Sequence, residues 1–373
     1  MTTAQRLDLL TRAYPRLFPR TELVRLLREQ LGGVDAIEQG RVRAPRMIYH
    51  ICAGNLAVSA WTSLMYGLLL GAHNVVKLPS DRADATTRQE ILAFIHGLPA
   101  SLRRLVKTHR ELDHETLIQA DAVIAFGSDA TMAELRAKLR WDQKFLAHGH
   151  AVSFLWVAHP DQLITVQARA CAIDVLTYDQ LGCLSPQAIY VPVRTDMEAL
   201  GNQLAEALEW GSRRPPGNGL ADFRTRRNGT RPRPVPGGYG LPKRPLGTAA
   251  RIAEARDMAY ALGHRVWHPP HLGWTVIHDP EPEFQPSPLH GVIYLRAVAE
   301  SRLRSALAPV AGKISTIGVV GMLAPALRKI FTDLGATRFC RAGRMQFPPL
   351  TWHHDGRAPL ADLVTWIDVE NVT

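Results

Sequence analysis

The sequence predicts a doubly wound α/β fold, in which helices cover both faces of a parallel sheet. Near the start of the chain, a strand, a helix and a second strand follow one another within about 30 residues, which is the length of a βαβ unit. The same alternation continues along most of the chain. Of the 373 residues, 46% are hydrophobic and 21% are charged, so the chain can bury a large core and is not disordered over most of its length.

The first elements are a helical segment and the βαβ unit. Up to Glu38, leucines recur among arginines and glutamates at helical spacing, which predicts an amphipathic helical lead-in. The βαβ unit is predicted to contain a buried strand at 46–51, a tight turn at 52–55, an apolar helix at 56–70 closed by Gly71, and a buried strand at 74–78. The two strands should be parallel, with a right-handed crossover.

Later elements repeat this alternation. The predicted strands are 122–126, 151–157 and 188–193, and the predicted helices are 130–139, 161–173 and 196–210. Residues 212–246 differ, because proline, glycine and arginine dominate there and apolar periodicity is lost. This composition predicts an exposed loop or insertion. Helix and strand patterns resume at Thr248, with strands at 274–277, 292–298 and 314–320.

The chain is basic, with 44 Lys and Arg against 34 Asp and Glu and a formal net charge of +10. Much of the excess lies in one short segment, which contains Arg213, Arg214, Arg224, Arg226, Arg227, Arg231 and Arg233. A positive surface attracts nucleic acid, a phosphate-bearing cofactor or an acidic protein. Charge alone does not choose among these partners.

The cellular compartment is predicted from features that the sequence lacks. It has no run of 18 or more apolar residues, and its first residues lack the apolar stretch and cleavage pattern of a signal peptide. We therefore expect a cytoplasmic protein without a membrane span. None of the cysteines (Cys52, Cys171, Cys183 and Cys340) belongs to a C-x-x-C pair, so a zinc ribbon is not indicated and thiols are expected.

The segment from Tyr178 to Gln187 carries the strongest chemical signal. It places Cys183 between Gly182 and a Ser-Pro turn, just before a predicted strand. A nucleophilic cysteine needs access, a lowered pKa and a donor for the oxyanion that it creates. Gly182 lets a substrate approach the backbone, and the Cys183 amide can donate to an oxyanion. The alternative is a buried structural cysteine, which is the commoner fate of thiols.

Three other candidates follow predicted strands, on the side where open α/β sheets bind ligands. Asn55 offers a side-chain amide to an oxyanion, or it simply caps the helix that starts at Leu56. Lys77 can reach a ribose or phosphate, or it is a surface lysine that ends a strand. The Gly127-Ser128 turn suits a pyrophosphate or nicotinamide, although a lone Gly-Ser turn is weak support.

Two further groups are less informative. The acidic, proline-rich segment Glu281–Pro286 offers a carboxylate for ribose hydroxyls, or it is an ordinary loop. The sequences around His148 and His150, and around His353 and His354, lack the i, i+4 spacing of a helical zinc pair. We therefore expect no metal site.

Taken in order, these segments resemble the aldehyde dehydrogenase superfamily. The order is a strand followed by A-G-N, then K-L-P-S, F-G-S, a lone Gly-Cys and E-x-F-x-P. The match is closer to the acyl-CoA reductase branch, the LuxC-like reductases that make fatty aldehyde for bacterial luciferase. The LuxC-like segments extend from IYHICAGNLAVS through DVLTYDQLGCLSPQAIYV to HHDGRAPLADLVTWID, and they span residues 46 to 370.

This resemblance implies an aldehyde-dehydrogenase-like α/β fold, with a doubly wound parallel sheet in the cofactor domain and a separate α/β catalytic domain. It implies that Cys183 is the catalytic nucleophile and that Asn55 joins the Cys183 amide in the oxyanion hole. The implied cofactor is NADPH, with NADH as the alternative. The implied cofactor-binding residues are Lys77, Ser80, Gly127, Ser128 and Glu283.

The implied domain division has three parts. Residues 1–170 hold the helical lead-in and a Rossmann-like NAD(P)-binding domain. Residues 171–330 form the catalytic domain, which carries Cys183 and the loop 212–246. Residues 331–373 are a C-terminal segment.

One departure from the superfamily bears on the reaction. Ordinary aldehyde dehydrogenases carry a glutamate, in an E-L-G-G segment, that activates water to hydrolyse the thioester. The corresponding stretch here, Leu146–Ala151, has no glutamate, and hydrolysis without a general base is slow. The sequence therefore favours reduction of a fatty acyl thioester to the aldehyde. Acyl-CoA or an acidic acyl carrier protein fits the basic charge as donor, and a homo-oligomer is implied by the resemblance alone.

Two alternatives stay open. A nucleic-acid-binding protein would use residues 213–233, but aromatic interleaving, a helix-turn-helix pattern and zinc-finger spacing are lacking. A catalytically inactive relative would bind an acyl donor without turnover. The presence of both Cys183 and Asn55 argues against that second alternative.

Overall fold

The computed structural model describes residues 1–80, 85–213 and 244–370. The helices are α1 (Thr3–Ala13), α2 (Arg20–Leu31), α3 (Ala57–Leu70), α4 (Ala85–Gly97), α5 (Ala100–Arg103), α6 (His114–Gln119), α7 (Asp129–Lys138), α8 (Thr165–Leu176), α9 (Met197–Ser212), α10 (Leu246–Ala261), α11 (Leu303–Ala306), α12 (Pro325–Asp333) and α13 (Pro359–Leu363). The strands are β1 (Val42–Arg43), β2 (Met47–Ile51), β3 (His73–Lys77), β4 (Val106–His109), β5 (Ala122–Phe126), β6 (Lys144–His148), β7 (Val152–Val157), β8 (Pro186–Val191), β9 (Arg265–Trp267), β10 (Thr275–His278), β11 (Val292–Ala297), β12 (Ile314–Val320), β13 (Arg338–Arg341) and β14 (Thr365–Trp366).

These elements form two compact units. The first unit contains residues 1–150 and 349–373, and the second unit contains residues 151–348. The boundaries predicted from the sequence fall after residues 170 and 330 instead. In the structure, strand β7 and helix α8 already belong to the second unit, and the chain returns to the first unit at Pro349.

The first unit is built on a five-stranded sheet in the order β4-β3-β2-β5-β6, and every pairing in it is parallel. The predicted βαβ unit is confirmed, because β2 and β3 are paired neighbours joined by α3. Helix α3 ends at Gly71, whose φ of 77° lies in the left-handed region. Glycine adopts that conformation without a Cβ penalty.

The predicted helical lead-in consists of two helices, α1 and α2. Thr2 and Gln5 form a capping box at the start of α1, and α2 ends at Gly32 with a left-handed φ of 78°. The leucines that predicted the lead-in are buried, namely Leu7, Leu10, Leu23, Leu26 and Leu27.

A buried histidine links the first βαβ unit through polar contacts. His50 Nδ1 lies 2.6 Å from Ser63 Oγ, and His50 Nε2 lies 2.9 Å from Asn74 Oδ1. Gly67 makes room for this pair, because a Cβ there would stand 1.8 Å from Asn74 Oδ1. Burial lowers the pKa of His50 to about 4, so the ring is neutral near pH 7.

The second unit is built on a seven-stranded sheet in the order β13-β12-β7-β8-β11-β10-β9, which is parallel except at β9. Alternate residues of β7 pack on opposite faces. Leu155 and Val157 pack with α8 and α9, whereas Phe154 and Trp156 pack with Phe331 of α12. A strand buried on both faces is typical of a doubly wound sheet, so the predicted fold is confirmed.

Most of the strands that the sequence does not predict are edge strands. Strands β4 and β6 are the edges of the first sheet, and β9 and β13 are the edges of the second. Edge strands bury few apolar residues, so they lack the apolar run by which a strand is predicted. The loop predicted at 212–246 lies mostly outside the described residues. Within the described ranges, no helix has both the length and the apolar character needed to cross a membrane.

Candidate active site

Cys183 lies on an exposed turn between α8 and β8. Ser153 Oγ on β7 donates a hydrogen bond to the carbonyl oxygen of Cys183 at 2.8 Å and accepts one from the Thr316 amide of β12 at 3.2 Å. The Ser185 amide donates to the Gly182 carbonyl at 2.9 Å. The backbone of the turn is therefore anchored to the sheet while the thiol is exposed, so the alternative of a buried structural cysteine is wrong.

The turn before Cys183 is strained, and so is the segment that faces it. Five non-glycine residues in these two segments have left-handed φ angles between 52° and 67°, namely Tyr178, Asp179, Gln180, Leu289 and His290. This region is unfavourable for residues with a Cβ. Such strain persists where the surroundings fix it, and it is concentrated at functional sites.

Gln180 joins the two strained segments. Its fully buried side-chain amide donates to the carbonyls of Pro186 at 2.7 Å and Val292 at 2.9 Å. Its Oε1 accepts a hydrogen bond from the Gly291 amide at 2.9 Å. All of the hydrogen-bonding groups of this amide except one acceptor lone pair are thereby satisfied, which stabilises the base of the Cys183 turn.

A group that we call the Asp179 clamp holds the same turn from its other side. Arg244 donates to both carboxylate oxygens of Asp179, at 2.8 and 3.0 Å, and His290 Nδ1 contacts the same carboxylate. Arg244 Nη2 also donates to the His290 carbonyl at 3.1 Å, which closes the cluster. Burial raises the pKa of Asp179, but the hydrogen bonds from His290 and Arg244 outweigh burial and hold that pKa below its ordinary value.

Glu283 lies in the loop between β10 and β11, and its side chain is exposed. The loop itself is fixed by Arg296, whose side chain is fully buried. Arg296 donates to the carbonyls of Glu281 and Glu283 and pairs with the Asp279 carboxylate at 2.7 Å. An exposed carboxylate on a fixed backbone is available to bind a ligand.

The remaining predicted residues lie in the first unit, after its strands. Asn55 is exposed in the turn that follows β2. The N-cap of α3 is Leu56, without a side-chain cap bond, so the interpretation of Asn55 as a plain N-cap is wrong. Lys77 is the half-buried last residue of β3, and Ser80 is exposed three residues later.

Lys77 lies close to Cys52, whose buried thiol is unsuited to nucleophilic attack. Burial raises the pKa of Cys52 to about 12, and the charge of Lys77 only partly opposes that effect. Cys52 is therefore a neutral thiol at physiological pH.

The Gly127-Ser128 turn ends β5 and begins α7. Ser128 is the N-cap of α7, and its hydroxyl accepts a hydrogen bond from the Thr131 amide at 3.1 Å. A Cβ on Gly127 would lie 3.3 Å from Met132 Cε, so the turn is tightly packed on that side. Backbone N–H groups at the start of a helix suit an anion. This turn and Lys77 thus fit a phosphate-bearing dinucleotide along one carboxyl edge of the parallel sheet.

A further group of residues, which we call the histidine stack, lies at the end of β6 and was not predicted from the sequence. His148 stacks on Phe126 and on His354, with centroids 4.6 and 4.1 Å apart, and the Phe126 and His354 rings lie 6.0 Å apart, so the three rings form a triangle. Trp352 stacks on His354 at 4.5 Å. His148 Nδ1 lies 2.8 Å from Asp355 Oδ2. No spacing rule predicts this pair, because its members are 207 positions apart in the sequence.

The same residues bear on metal binding. The ligand atoms of His148, His354 and Asp355 lie within 4.8 Å of one another. A cation bound by an imidazole nitrogen lies in the plane of the ring. The two stacked rings are inclined by only 26° with centroids 4.1 Å apart, so a cation in the plane of one ring lies outside the plane of the other. This geometry suits hydrogen bonding better than metal binding.

Comparison with known proteins identifies relatives over nearly the whole chain. A family model described as acyl-CoA reductase (LuxC) matches residues 2–223 and 245–366. Long-chain acyl-protein thioester reductase 2 of Photobacterium leiognathi is 25% identical over 336 residues, and the reductase of Photorhabdus luminescens is 26% identical over 332 residues. Each alignment covers 86% of this chain, and the chain spans only 63% of the length of either relative.

Solved structures show the same fold. NADP-dependent glyceraldehyde-3-phosphate dehydrogenase from Bacillus halodurans, complexed with NADP, superposes with a TM-score of 0.65 at 12% identity, covering 98% of this chain and 86% of that one. Aldehyde dehydrogenase 21 from Physcomitrella patens gives a TM-score of 0.64 at 12% identity, covering 98% and 85%. These likenesses establish the aldehyde-dehydrogenase-like fold that the resemblance implied.

Proposed function

The chain belongs to the acyl-CoA reductase (LuxC) family, and we propose that it reduces a fatty acyl thioester to the aldehyde through an acyl-enzyme on Cys183. The observation that carries the proposal is the exposed thiol of Cys183, on a turn anchored through Ser153 and Gln180. Access on a fixed backbone is what a nucleophilic cysteine requires. The relatives are named long-chain acyl-protein thioester reductases, which supports a thioester as the substrate.

Acyl transfer is the step that the chain's own residues perform. The Cys183 thiolate attacks the carbonyl carbon of the thioester, the carbon–sulfur bond to the carrier breaks, and its electron pair leaves on the carrier sulfur. The Asn55 amide and the Cys183 backbone N–H donate to the oxyanion, and one such donor lowers the barrier by about 3 kcal/mol in comparable sites.

The cofactor in this proposal is NADPH, with NADH as the alternative to be compared. When bound, it supplies the hydride that turns the acyl group into the aldehyde. Lys77 and Ser80 would hold its adenosine ribose or the phosphate on that ribose. The Gly127-Ser128 turn would hold the pyrophosphate, and Glu283 the hydroxyls of the nicotinamide ribose.

The acyl donor in the proposal is either acyl-CoA or an acyl carrier protein. CoA brings phosphates and the carrier protein brings an acidic surface, and both suit a chain with a net charge of +10. The names of the relatives favour the protein donor.

The test compares the wild type, Cys183→Ala and the control Cys340→Ala, because Cys340 is a half-buried cysteine of the same unit. Each protein is mixed with palmitoyl-CoA or palmitoyl-acyl carrier protein and with NADPH or NADH. We expect an acyl adduct by intact mass and aldehyde formation in the wild type and the control, and neither in Cys183→Ala. Full turnover by Cys183→Ala would contradict the proposal.

The alternatives predict different results. Nucleic-acid binding relied on residues 213–233, nearly all of which lie outside the described residues, and the family match gives it no support. An inactive relative would bind the acyl donor without forming aldehyde. A homo-oligomer and a cytoplasmic location stay predictions.

A further inference from the structure

A cleft of about 780 Å³ opens at the amino edge of the five-stranded sheet, where Arg46, His73 and Asp121 begin or precede strands. We call it the amino-edge cleft. All of its lining residues belong to the first unit. Of the described residues, neither Lys77, nor Ser128, nor any residue of α7 lines it. The cleft is therefore separate from the residues assigned to the cofactor, which follow the strands at the carboxyl edge.

The cleft extends from the amino edge along strand β4, and both apolar and polar groups line it. Met47, Val75 and Leu105 contribute apolar side chains. Thr116 and Gln119 of α6 contribute a hydroxyl and an amide. Small-molecule sites typically combine an apolar lining with a few polar groups and have volumes of about 300–1,000 Å³. The amino-edge cleft thus has the size and the lining of a ligand site.

Positive charge dominates the rim of the cleft. Four of its lining residues carry a full positive charge, namely Arg46, Arg104, Lys107 and Arg140. The single lining carboxylate is Asp121, which pairs with the Arg46 side chain at 3.3 Å. Asp121 also accepts hydrogen bonds from the backbone amides of Arg46 at 2.6 Å and Met47 at 3.1 Å. Its negative charge is therefore already engaged at the start of β2.

Two of the four cations have no carboxylate partner. Arg140 donates to both carboxylate oxygens of Asp142, at 3.0 and 3.1 Å. Arg104 and Lys107 are exposed, and neither forms an ion pair within the described ranges. Lys107 lies beside Val75 in the register of β4 and β3, so this charge borders the apolar lining. The cleft therefore carries positive charge that its own residues do not neutralise and that attracts anions.

Hydrogen bonds fix one wall of the cleft. Gln143 is buried, and its Nε2 donates to the carbonyls of Leu117 at 2.8 Å and Ala120 at 2.7 Å. Its Oε1 accepts a hydrogen bond from the Arg140 amide at 2.8 Å. These contacts join the end of α6 to the turn that carries Arg140. A wall that is fixed beforehand lowers the cost of ordering when a ligand binds.

We propose that the amino-edge cleft binds a nucleoside diphosphate, with its phosphates against Arg104 and Lys107. Two unpaired cations suit two phosphates, because arginine forms paired hydrogen bonds with phosphate and lysine adds a point charge. The base lies against the apolar lining, and Thr116 and Gln119 supply hydrogen bonds that a ribose or a base can use. The inference does not rest on the proposed function, because no residue of the cleft takes part in acyl transfer or holds the cofactor there.

The test measures the binding of ADP to the full chain by isothermal titration calorimetry. Lys107→Gln and Arg104→Gln each remove one charge at an exposed position, so both variants should fold as the wild type does. We expect each variant to weaken ADP binding about 10-fold and the double variant to weaken it about 100-fold. The matched control is Arg110→Gln, because Arg110 is an exposed cation just after β4 that does not line the cleft. Its affinity for ADP should stay within about 2-fold of the wild type.

Two further ligands distinguish a nucleotide from a free diphosphate. Inorganic pyrophosphate carries the phosphates alone, and adenosine carries the base and ribose alone. We expect pyrophosphate to bind about 10-fold more weakly than ADP, because it leaves the apolar lining in contact with water. Adenosine should bind more weakly than ADP because it leaves both cations without an anion. Equal affinities for ADP and pyrophosphate would overturn the assignment of a nucleoside.

The position of bound ADP is measured separately, because the residues proposed to hold the cofactor could also bind ADP. Lysines are acetylated with and without ADP, and their modification is read by mass spectrometry. ADP should protect Lys107 and should leave Lys138, an exposed lysine of α7, as reactive as before. The proposal is wrong if the wild type does not bind ADP, if the double variant binds it equally well, or if Lys107 is not protected. None of these results bears on Cys183, so the proposed function stands or falls on its own test.

Discussion

Replacement of Asp179 by asparagine tests whether the Asp179 clamp stabilises the Cys183 turn. Asparagine tolerates left-handed φ angles better than most residues, so Asp179→Asn removes the charge without adding backbone strain. One oxygen remains to accept a hydrogen bond. The new NH₂ group, however, finds no acceptor on Arg244, and His290 Nδ1 accepts from it only in the tautomer that carries its proton on Nε2.

The expected cost follows from the contacts of Arg244. Breaking a buried ion pair typically costs about 3–5 kcal/mol, because the remaining charge is left uncompensated. Arg244 is 6% exposed, but it keeps two carbonyl acceptors, at Leu272 and His290, and Asp179 is itself 33% exposed. We therefore expect a loss of about 2–3 kcal/mol, which lowers the Tm by roughly 5–10 °C for a unit of this size.

The measurement is thermal unfolding together with the rate at which iodoacetamide alkylates Cys183. The matched control is Asp161→Asn, an exposed carboxylate of the same unit, for which we expect a change below about 0.5 kcal/mol. The rate at which Cys183 is alkylated should differ from the wild-type rate in Asp179→Asn and should equal it in the control. If the two variants unfold at the same temperature and react at the same rate, the clamp does not stabilise the turn.

Two further predictions concern stability. Gly67→Ala would place a Cβ 1.8 Å from Asn74 Oδ1. It should lower the free energy of unfolding, measured by chemical denaturation, by about 3 kcal/mol, because it disrupts the hydrogen bond between Asn74 and His50. The control Gly247→Ala, whose Cβ would have no atom within 4 Å, should be neutral, and equal costs for the two variants would contradict the contact between Gly67 and Asn74. Burial lowers the pKa of His50 and His354 to about 4, from 6.5 when unfolded. The unfolded state therefore binds more protons. As the pH falls from 6.5 to 4, the first unit should lose stability, and the loss should reach about 2 kcal/mol per histidine at pH 5. In the second unit, burial raises the pKa of Asp174 to about 7. Because the folded state of this carboxyl group binds more protons, the second unit should gain stability as the pH falls over the same interval. Hydrogen exchange at pH 7 and pH 5 should therefore show opposite changes in the two units. Parallel changes would contradict this prediction.

The fold could be predicted where burial leaves a pattern in the sequence. Strands β2 and β7 are nearly continuous apolar runs because both faces of each are covered. Helix α8 was predicted to begin too early, since Pro160–Gln162 forms a separate 3-10 turn before Thr165. Edge strands such as β4 leave little pattern, because two of the four residues of β4 are exposed.

The candidate site could be predicted only where its chemistry is local in the sequence. The Gly-Cys and Ser-Pro neighbours of Cys183 predict an exposed thiol on a turn, and the thiol is exposed. Arg244 and His290 lie 65 and 111 positions from Asp179. Such pairs have no periodicity, so only the folded chain reveals them.

Backbone strain connects the two acid–histidine pairs of this protein. In the part of the chain that the structure describes, every non-glycine residue with positive φ belongs either to the two segments joined by the Asp179 clamp or to Asp355 of the histidine stack. For most residues with a Cβ this conformation costs about 1–2 kcal/mol, and for aspartate it costs less. A sequence selected for stability alone would place glycine at some of these positions. In both places an aspartate is held against a histidine ring, Asp179 against His290 and Asp355 against His148, so the side chains at these positions make contacts that glycine could not make.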